Sequence, residues 1–340
     1  MRRTTNVTIR DVARTADVSI ATVSRALSTP GLVAEPTRKR VIAAVRKLGY
    51  EPNRAARSLI TGRTGLIGVV VPDLGNPFFL GLLKGVQTAA RDLGHLVLLA
   101  DTAEDAGTEA ALIRPIARQV DGLVLLSSRL AGPVLRDATG SCRAVLVNRV
   151  LPGFPAVLLD GKDGMRQMLQ HLAALGHRRC GYAGGPRESF ADAERRRGLA
   201  KAGADNGVRL VDLGAFPPLH RSGARIADLA VAADVTALIA FNDLMALGVV
   251  ARLRELGLRV PADLSVTGFD DIPMAALSAP GLTTIAAPLE EAGRNAVELL
   301  AQARESQDSG APSGRLLPVR LVVRGSTGAP RRPGRRESES

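Results

Sequence analysis

Apolar positions change their period part-way along this chain. Ile9, Val12, Ala13 and Ala16 recur at i, i+3, i+4 and i+7, one face of a short helix, and Thr8 is placed to cap it. A break at Ala16-Asp17-Val18 follows, and Ser19 then caps a second short helix with Val23, Ala26 and Leu27 inside. Glu35-Pro36 opens a third helix, lined by Val41, Ile42, Val45 and Leu48, and Gly49 stops it. Two brief helices joined by so tight a turn predict a helix-turn-helix. Ala21 and Arg25 project opposite Val23 and Leu27. That face suits a DNA major groove, where arginine can pair with a guanine edge and a small apolar residue can meet a thymine methyl. The angle of Ile20 borders the inner face. A plain three-helix bundle with a solvated basic surface is the alternative; the turn, the two caps and the outward arginine favour DNA binding.

Residues 53–60 contain good helix formers, but about eight residues fall short of the ~12–15 at which an isolated helix is even marginal in water. The apolar face of this segment is only Ala56 and Leu59, and its composition would equally permit a linker that never folds. From residue 65 onward, short apolar runs alternate with helical stretches. The runs are Leu66–Val71, Leu96–Ala100, Gly122–Leu126, Ala144–Val147, Val157–Leu159, Gly181–Ala183, Ala237–Phe241 and Leu264–Gly268. That alternation predicts βαβ units and parallel sheets.

Charge sharpens this division. The first 63 residues hold eleven Arg and two Lys against Asp11, Asp17, Glu35 and Glu51, a net +9 of the chain's +12. A basic head on a nearly neutral body is the footprint of a polyanion-binding module joined to something else. Cys142 and Cys180, far apart in sequence, read as reduced core thiols rather than a disulfide. No apolar run is long enough to span a bilayer, and MRRTTNVTIRDVA has no apolar stretch typical of a signal peptide, so a cytoplasmic protein is expected. The body lacks a phosphate-binding G-x-x-x-x-G-K-[ST], a G-x-G-x-x-G and a G-x-S-x-G, and its four histidines show no metal spacing. Neither an enzyme nor a bound cofactor is expected.

Polar residues instead collect at the ends of the predicted strands: Asp73 and Asn76, Asp101, Asn148 and Arg149, Asp160, Asn242 and Asp243, Asp270 and Asp271. Ligands of open α/β sheets bind outside the carboxyl ends of strands. The chain has no Trp, and its seven Phe (78, 79, 154, 190, 216, 241 and 269) fall at or just after strand ends. Rings placed there could stack on a ligand in a cleft.

VTIRDVARTADVSIATVSRAL followed by GYEPNRAARSL resembles the DNA-binding head of the lactose-repressor/galactose-repressor (LacI/GalR) family of bacterial transcription regulators. The resemblance continues to about residue 327. It implies an all-α helix-turn-helix head (1–51) and a hinge helix with linker (52–64). An α/β two-lobed core like that of periplasmic binding proteins follows (65–327), with a disordered tail after it (328–340). The lobes would be roughly 65–161 with 288–318, and 162–287 with 319–327. The resemblance assigns base reading to Ile20, Ala21 and Arg25. Thr8, Thr22 and Ser24 take supporting or phosphate-facing positions, and Tyr50 and Asn53 the junction. Leu59 would wedge into a kinked minor groove beside Ala56. Ser28 departs from the family's usual Asn.

For the core, the resemblance implies an effector between the lobes, contacted by Asp73, Asn76, Phe78, Arg149, Asp160, Arg195, Phe216, Asn242 and Asp270. Ala193 stands where many members have a ligand-contacting Arg, two positions before Arg195, and Gly161 stands where Asn is common. Carboxylates and amides suit several hydroxyls at once, so a sugar or polyol is expected, with a purine or other small anion as the alternative. The implied partners are a near-palindromic operator and a second copy of the chain. A dimer is expected because the C-terminal stretch has no leucine heptads.

Overall fold

The structure, a computed structural model, describes residues 7–28, 30–50, 63–305 and 314–331. The chain divides into two compact units at Gly65/Leu66. In the first, α1 (Ile9–Ala16), α2 (Ile20–Ser28) and α3 (Glu35–Leu48) enclose Val12, Ala13, Val23, Ala26, Val41, Ala44 and Tyr50. Asp11 reaches back to the start of α1, where its Oδ2 accepts from the N–H and Oγ of Thr8 at 3.0 and 2.7 Å. Asp17 ends α1 in the left-handed region (φ 50°), and the N–H of Val18 returns to Ala13 O at 3.1 Å. This reversal makes the turn so short. Ser19 Oγ then accepts from the N–H of Thr22 at 3.1 Å, capping α2. Ile42 lies outside the head's core. From Val41, helical stepping reaches Ala44, Val45 and Leu48 instead.

The second unit opens with β1 (Leu66–Val71), α4 (Pro77–Asp92), β2 (Leu96–Asp101), α5 (Ala106–Ala117) and β3 (Gly122–Leu126). It continues through α6 (Gly132–Thr139), β4 (Ala144–Val147), β5 (Ala156–Leu159), α7 (Gly161–Ala174), β6 (Arg179–Gly184), α8 (Phe190–Asn206) and β7 (Arg209–Ala215). Next come α9 (Gly223–Ala232), β8 (Ala237–Ala240), α10 (Asp243–Glu255), β9 (Ser265–Thr267), α11 (Pro273–Leu277) and β10 (Thr284–Ala286). It closes with α12 (Leu289–Glu305), β11 (Gly314–Leu317) and β12 (Arg320–Val322). One sheet runs β11-β5-β4-β3-β1-β2, a second β7-β6-β8-β9, both parallel, and β10 pairs antiparallel with β12.

The first sheet is buried on both faces. Val69, Val71, Val124, Leu126, Val145 and Val147 belong to one core cluster, while Val70, Leu123, Leu125 and Leu146 belong to the other. Covering both faces with helices turns alternation into continuous apolar runs, which is why these strands are legible in the sequence. The body is therefore the two-lobed α/β core with parallel sheets that the sequence predicts. The chain passes between lobes after β5, before α12 and between β11 and β12.

Residues 328–331, expected to begin a disordered tail, are instead fastened to the second lobe. The N–H of Gly328 donates to Ser265 Oγ at 3.1 Å, its carbonyl lies 2.9 Å from His177 Nε2, and Arg331 pairs with Asp234. Among the described residues no helix is long and apolar enough to cross a membrane.

Candidate functional site

In the head, Ile20, Ala21 and Arg25 are exposed on α2, with Val23 and Ala26 turned inward. Arg25 makes no ion pair or hydrogen bond among the described residues. Thr8 takes part in the start of α1, Thr22 engages the Ser19 cap, and Ser24 is half-buried. Tyr50, expected at a DNA-facing junction, has its ring in the core, because three short helices need an aromatic to fill their centre. Asn53, Ala56 and Leu59 lie outside the described residues.

In the body, a small cavity of about 30 Å³ opens between the lobes. Asn76, Phe78, Phe79, Glu104, Ser127, Arg129 and Asn148 line it from the first lobe; Ala191, Arg195, Pro218, Phe241 and Asp270 from the second. An adjoining pocket adds Gly161, Phe190, Glu194 and Phe269. At Gly161 a Cβ would sit in ordinary contact, 3.5 Å from Arg195 Cγ. Arg195 is buried between the rings of Phe241 and Phe269, 4.5 and 3.5 Å from their centroids. Its guanidinium donates to Phe241 O and lies 3.6 Å from Asp270 Oδ1, while Nε has no partner. Burial pushes Asp270 up to about 7 against the pull of Arg195. Beside it, Asp243 is raised well above the carboxylate range by burial and then by Asp270's charge. Asp243 accepts from Thr284 Oγ1 at 2.6 Å and Ile272 N–H at 3.0 Å. Gly268 permits that closeness, because a Cβ there would overlap Asp243 Oδ1.

Backbone strain gathers on the same rim. Ala103, Glu104, Ser127, Asn148, Asp270 and Asp271 all have positive φ, against only Asp17 and Asp234 among the other described non-glycine residues. Such conformations persist where the surroundings enforce them, commonly at ligand sites.

A model of the bacterial regulatory proteins of the lacI family matches residues 8–53, and one of a periplasmic binding protein-like domain matches 169–327. The transcriptional repressor CytR of Escherichia coli K12 is 35% identical over 336 residues, covering 96% of this chain and 98% of CytR. This chain belongs to the LacI family of transcription regulators. A Lac repressor dimer bound to operator and the anti-inducer ONPF has the same fold, with a TM-score of 0.84 at 30% identity over 95% of this chain and 99% of that one. The regulator CelR in complex with cellobiose gives 0.67 at 32%, over 94% and 99%. The chain is thus a DNA-binding regulator and not an enzyme.

For this LacI-family regulator, four of the nine effector residues named from sequence line the cavity: Asn76, Phe78, Arg195 and Asp270. The other five do not line it, and each has a local task. Asp73 Oδ1 turns the chain after β1 by accepting from Gly75 N–H at 2.7 Å. Asp160 caps α7 through Asp163 N–H at 2.9 Å. Asn242 caps α10 through Met245 N–H at 2.9 Å and holds Pro218 O at 3.0 Å. Phe216 is buried where β7 ends. Arg149 grips the carbonyls of Ser128 and Leu130. Asn76 also caps α4 through Phe78 N–H at 3.1 Å. Phe154 belongs to a pocket at the opposite ends of the strands, with Cys142 and Arg143. Ala193 is exposed on α8, and Arg195 faces the cleft.

Glu104, Ser127 and Arg129 were missed. The strand-end rule applied to β3, which stops at Leu126, would have reached Ser127-Ser128-Arg129.

Proposed function

We propose that this regulator represses transcription from the cytoplasm as a homodimer on a near-palindromic operator, and that a neutral polyhydroxylated effector between the core lobes controls its DNA affinity. Ile20, Ala21 and Arg25 read bases in the major groove, with Thr8, Thr22 and Ser24 supporting helix ends and phosphate contacts. Asn53, Ala56 and Leu59 act at the hinge, where Leu59 wedges into a bent minor groove. The head is residues 1–51, the hinge and linker 52–64 and the core 65–327, now extended to 331. A dimer is supported by the edge strand β2 and its neighbour α4, which leave Leu96 and Leu80 52% and 50% exposed.

The observation that carries the effector reading is the cleft itself, where Arg195 from one lobe faces Glu104, Arg129 and Asn148 from the other. A ligand touching both walls favours one lobe angle and so couples to the DNA-bound state. A purine is the second reading, supported by the rings of Phe78, Phe79 and Phe241 in the same cleft. A gel-shift on DNA upstream of the protein's own gene tests the reading, with ribose, galactose, cellobiose or adenine added in turn. A shifted band that one sugar weakens or strengthens is expected. No shift at low salt rejects the operator assignment, and a response to adenine alone rejects the polyol.

A further inference from the structure

We propose that Glu104 and Arg129 are the hydroxyl-reading edge of the first lobe, and that they take a vicinal diol of the effector. The inference rests on the effector reading of the cleft and adds which residues select which group. Arg129 Nε and Nη2 donate to Glu104 Oε2 and Oε1 at 3.0 and 3.2 Å, with side chains only 9% and 17% exposed. Both residues line the cavity.

The surroundings hold this pair in place. Glu109, itself buried, accepts from the backbone N–H of Arg129 at 2.9 Å. Arg149 donates to the carbonyls on either side of Arg129, those of Ser128 at 2.5 Å and Leu130. Ala103, Glu104 and Ser127 adopt φ of 50°, 59° and 48°. Two further buried or half-buried ions and three strained residues thus fix one charge pair at the cavity wall. Strained backbone of this kind persists where its surroundings enforce it and clusters at ligand sites.

The chemistry of the pair selects the ligand. Glu104 occupies two of Arg129's five N–H donors, which leaves donors and carboxylate lone pairs side by side. A guanidinium already balanced by a carboxylate repels an added anion at Glu104 and an added cation at Arg129. A hydroxyl donates to one and accepts from the other, and two adjacent hydroxyls use both. Across the cavity, the guanidinium of Arg195 lies 3.6 Å from Asp270 Oδ1 in the second lobe. Such a diol can come from a free sugar or from the ribose of a nucleoside.

Calorimetric titration of the full chain tests this with three matched probe pairs. These are methyl β-D-ribofuranoside and its 2-deoxy analogue, methyl α-D-galactopyranoside and its 3-deoxy analogue, and adenosine and 2′-deoxyadenosine, so that each deoxy member has no two adjacent hydroxyls. For the source that binds, the diol member should bind at least about tenfold more tightly. Glu104→Gln should abolish most of that preference, bringing the ratio of the two affinities toward one. Arg129→Lys, which keeps the charge but loses the fork, should do the same and serves if Glu104→Gln does not fold. A preference absent in wild type, or unchanged in both variants, overturns the assignment and leaves the cleft as an effector site. No binding of any probe by a chain that still shifts its operator overturns the polyol reading and this inference together.

Discussion

Arg25 and Arg195 place the same guanidinium in opposite settings. Arg25 is solvated on α2 and free to pair with a base edge. Arg25→Ala should relax preference at one operator position by about 1–3 kcal/mol, read from competition among single-base operator variants. Unchanged preference at every position would move base reading elsewhere on the head. Arg195 is buried, and its guanidinium meets two aromatic faces and an incompletely paired Asp270. Because burial lifts Asp270 from 3.8 to about 7, the folded chain keeps a proton across that window that the unfolded chain releases. Its contribution is fully present below about pH 4 and is lost as pH rises through about 7. The melting temperature of wild type should therefore fall relative to that of Asp270→Asn between about pH 5 and pH 8. Parallel curves would place the proton on another group.

At the scale of elements, the head depends on its helix ends more than on helix length. The nine residues of α2 follow immediately on Ser19, whose Oγ satisfies the N–H of Thr22. Ser19→Ala should cost about 1 kcal/mol of head stability, visible as an earlier transition in urea, with the core transition unmoved. A loss of only ~0.2 kcal/mol would mean that tertiary packing, not the cap, starts the helix. The same logic explains what sequence reading made of the strand ends. Asn76, Asp160 and Asn242 were picked because they follow strands, and all three cap the next helix. A strand-to-helix junction places ligand contacts and helix caps at the same chain positions, drawn from the same residue types. Only Asn76 turned out also to face the cleft.

At the scale of the whole molecule, Leu96 on the edge strand β2 and Leu80 on α4 leave apolar surface exposed in a single copy. Leu96→Glu on β2 should shift sedimentation toward a monomer at micromolar concentration and weaken operator binding through loss of the second head. A variant that stays dimeric would assign the interface to another surface. The two parallel sheets were legible because burial on both faces makes their strands continuous apolar runs. The strands β7, β10, β11 and β12 were not. β7 and β11 are interrupted by exposed positions, so neither is a continuous buried apolar run, and β10 and β12, three residues each, form a separate two-stranded ribbon.

The sequence by itself determined the basic head, its three helices, the βαβ order of the body and the family, since these rest on local periodicity, caps and contiguous motifs. It also reached Asp270, from its place at the end of a predicted strand, and Arg195, through the resemblance. Only the tertiary structure decided which polar residues meet. Glu104 and Arg129 are 25 residues apart on the chain and form one bidentate pair. Arg149, which looked like a ligand contact, supports the loop that carries Arg129. Residues at strand ends are interchangeable along the chain. The sheet order and the left-handed turns after β2, β3 and β4 determine which of them face the cleft.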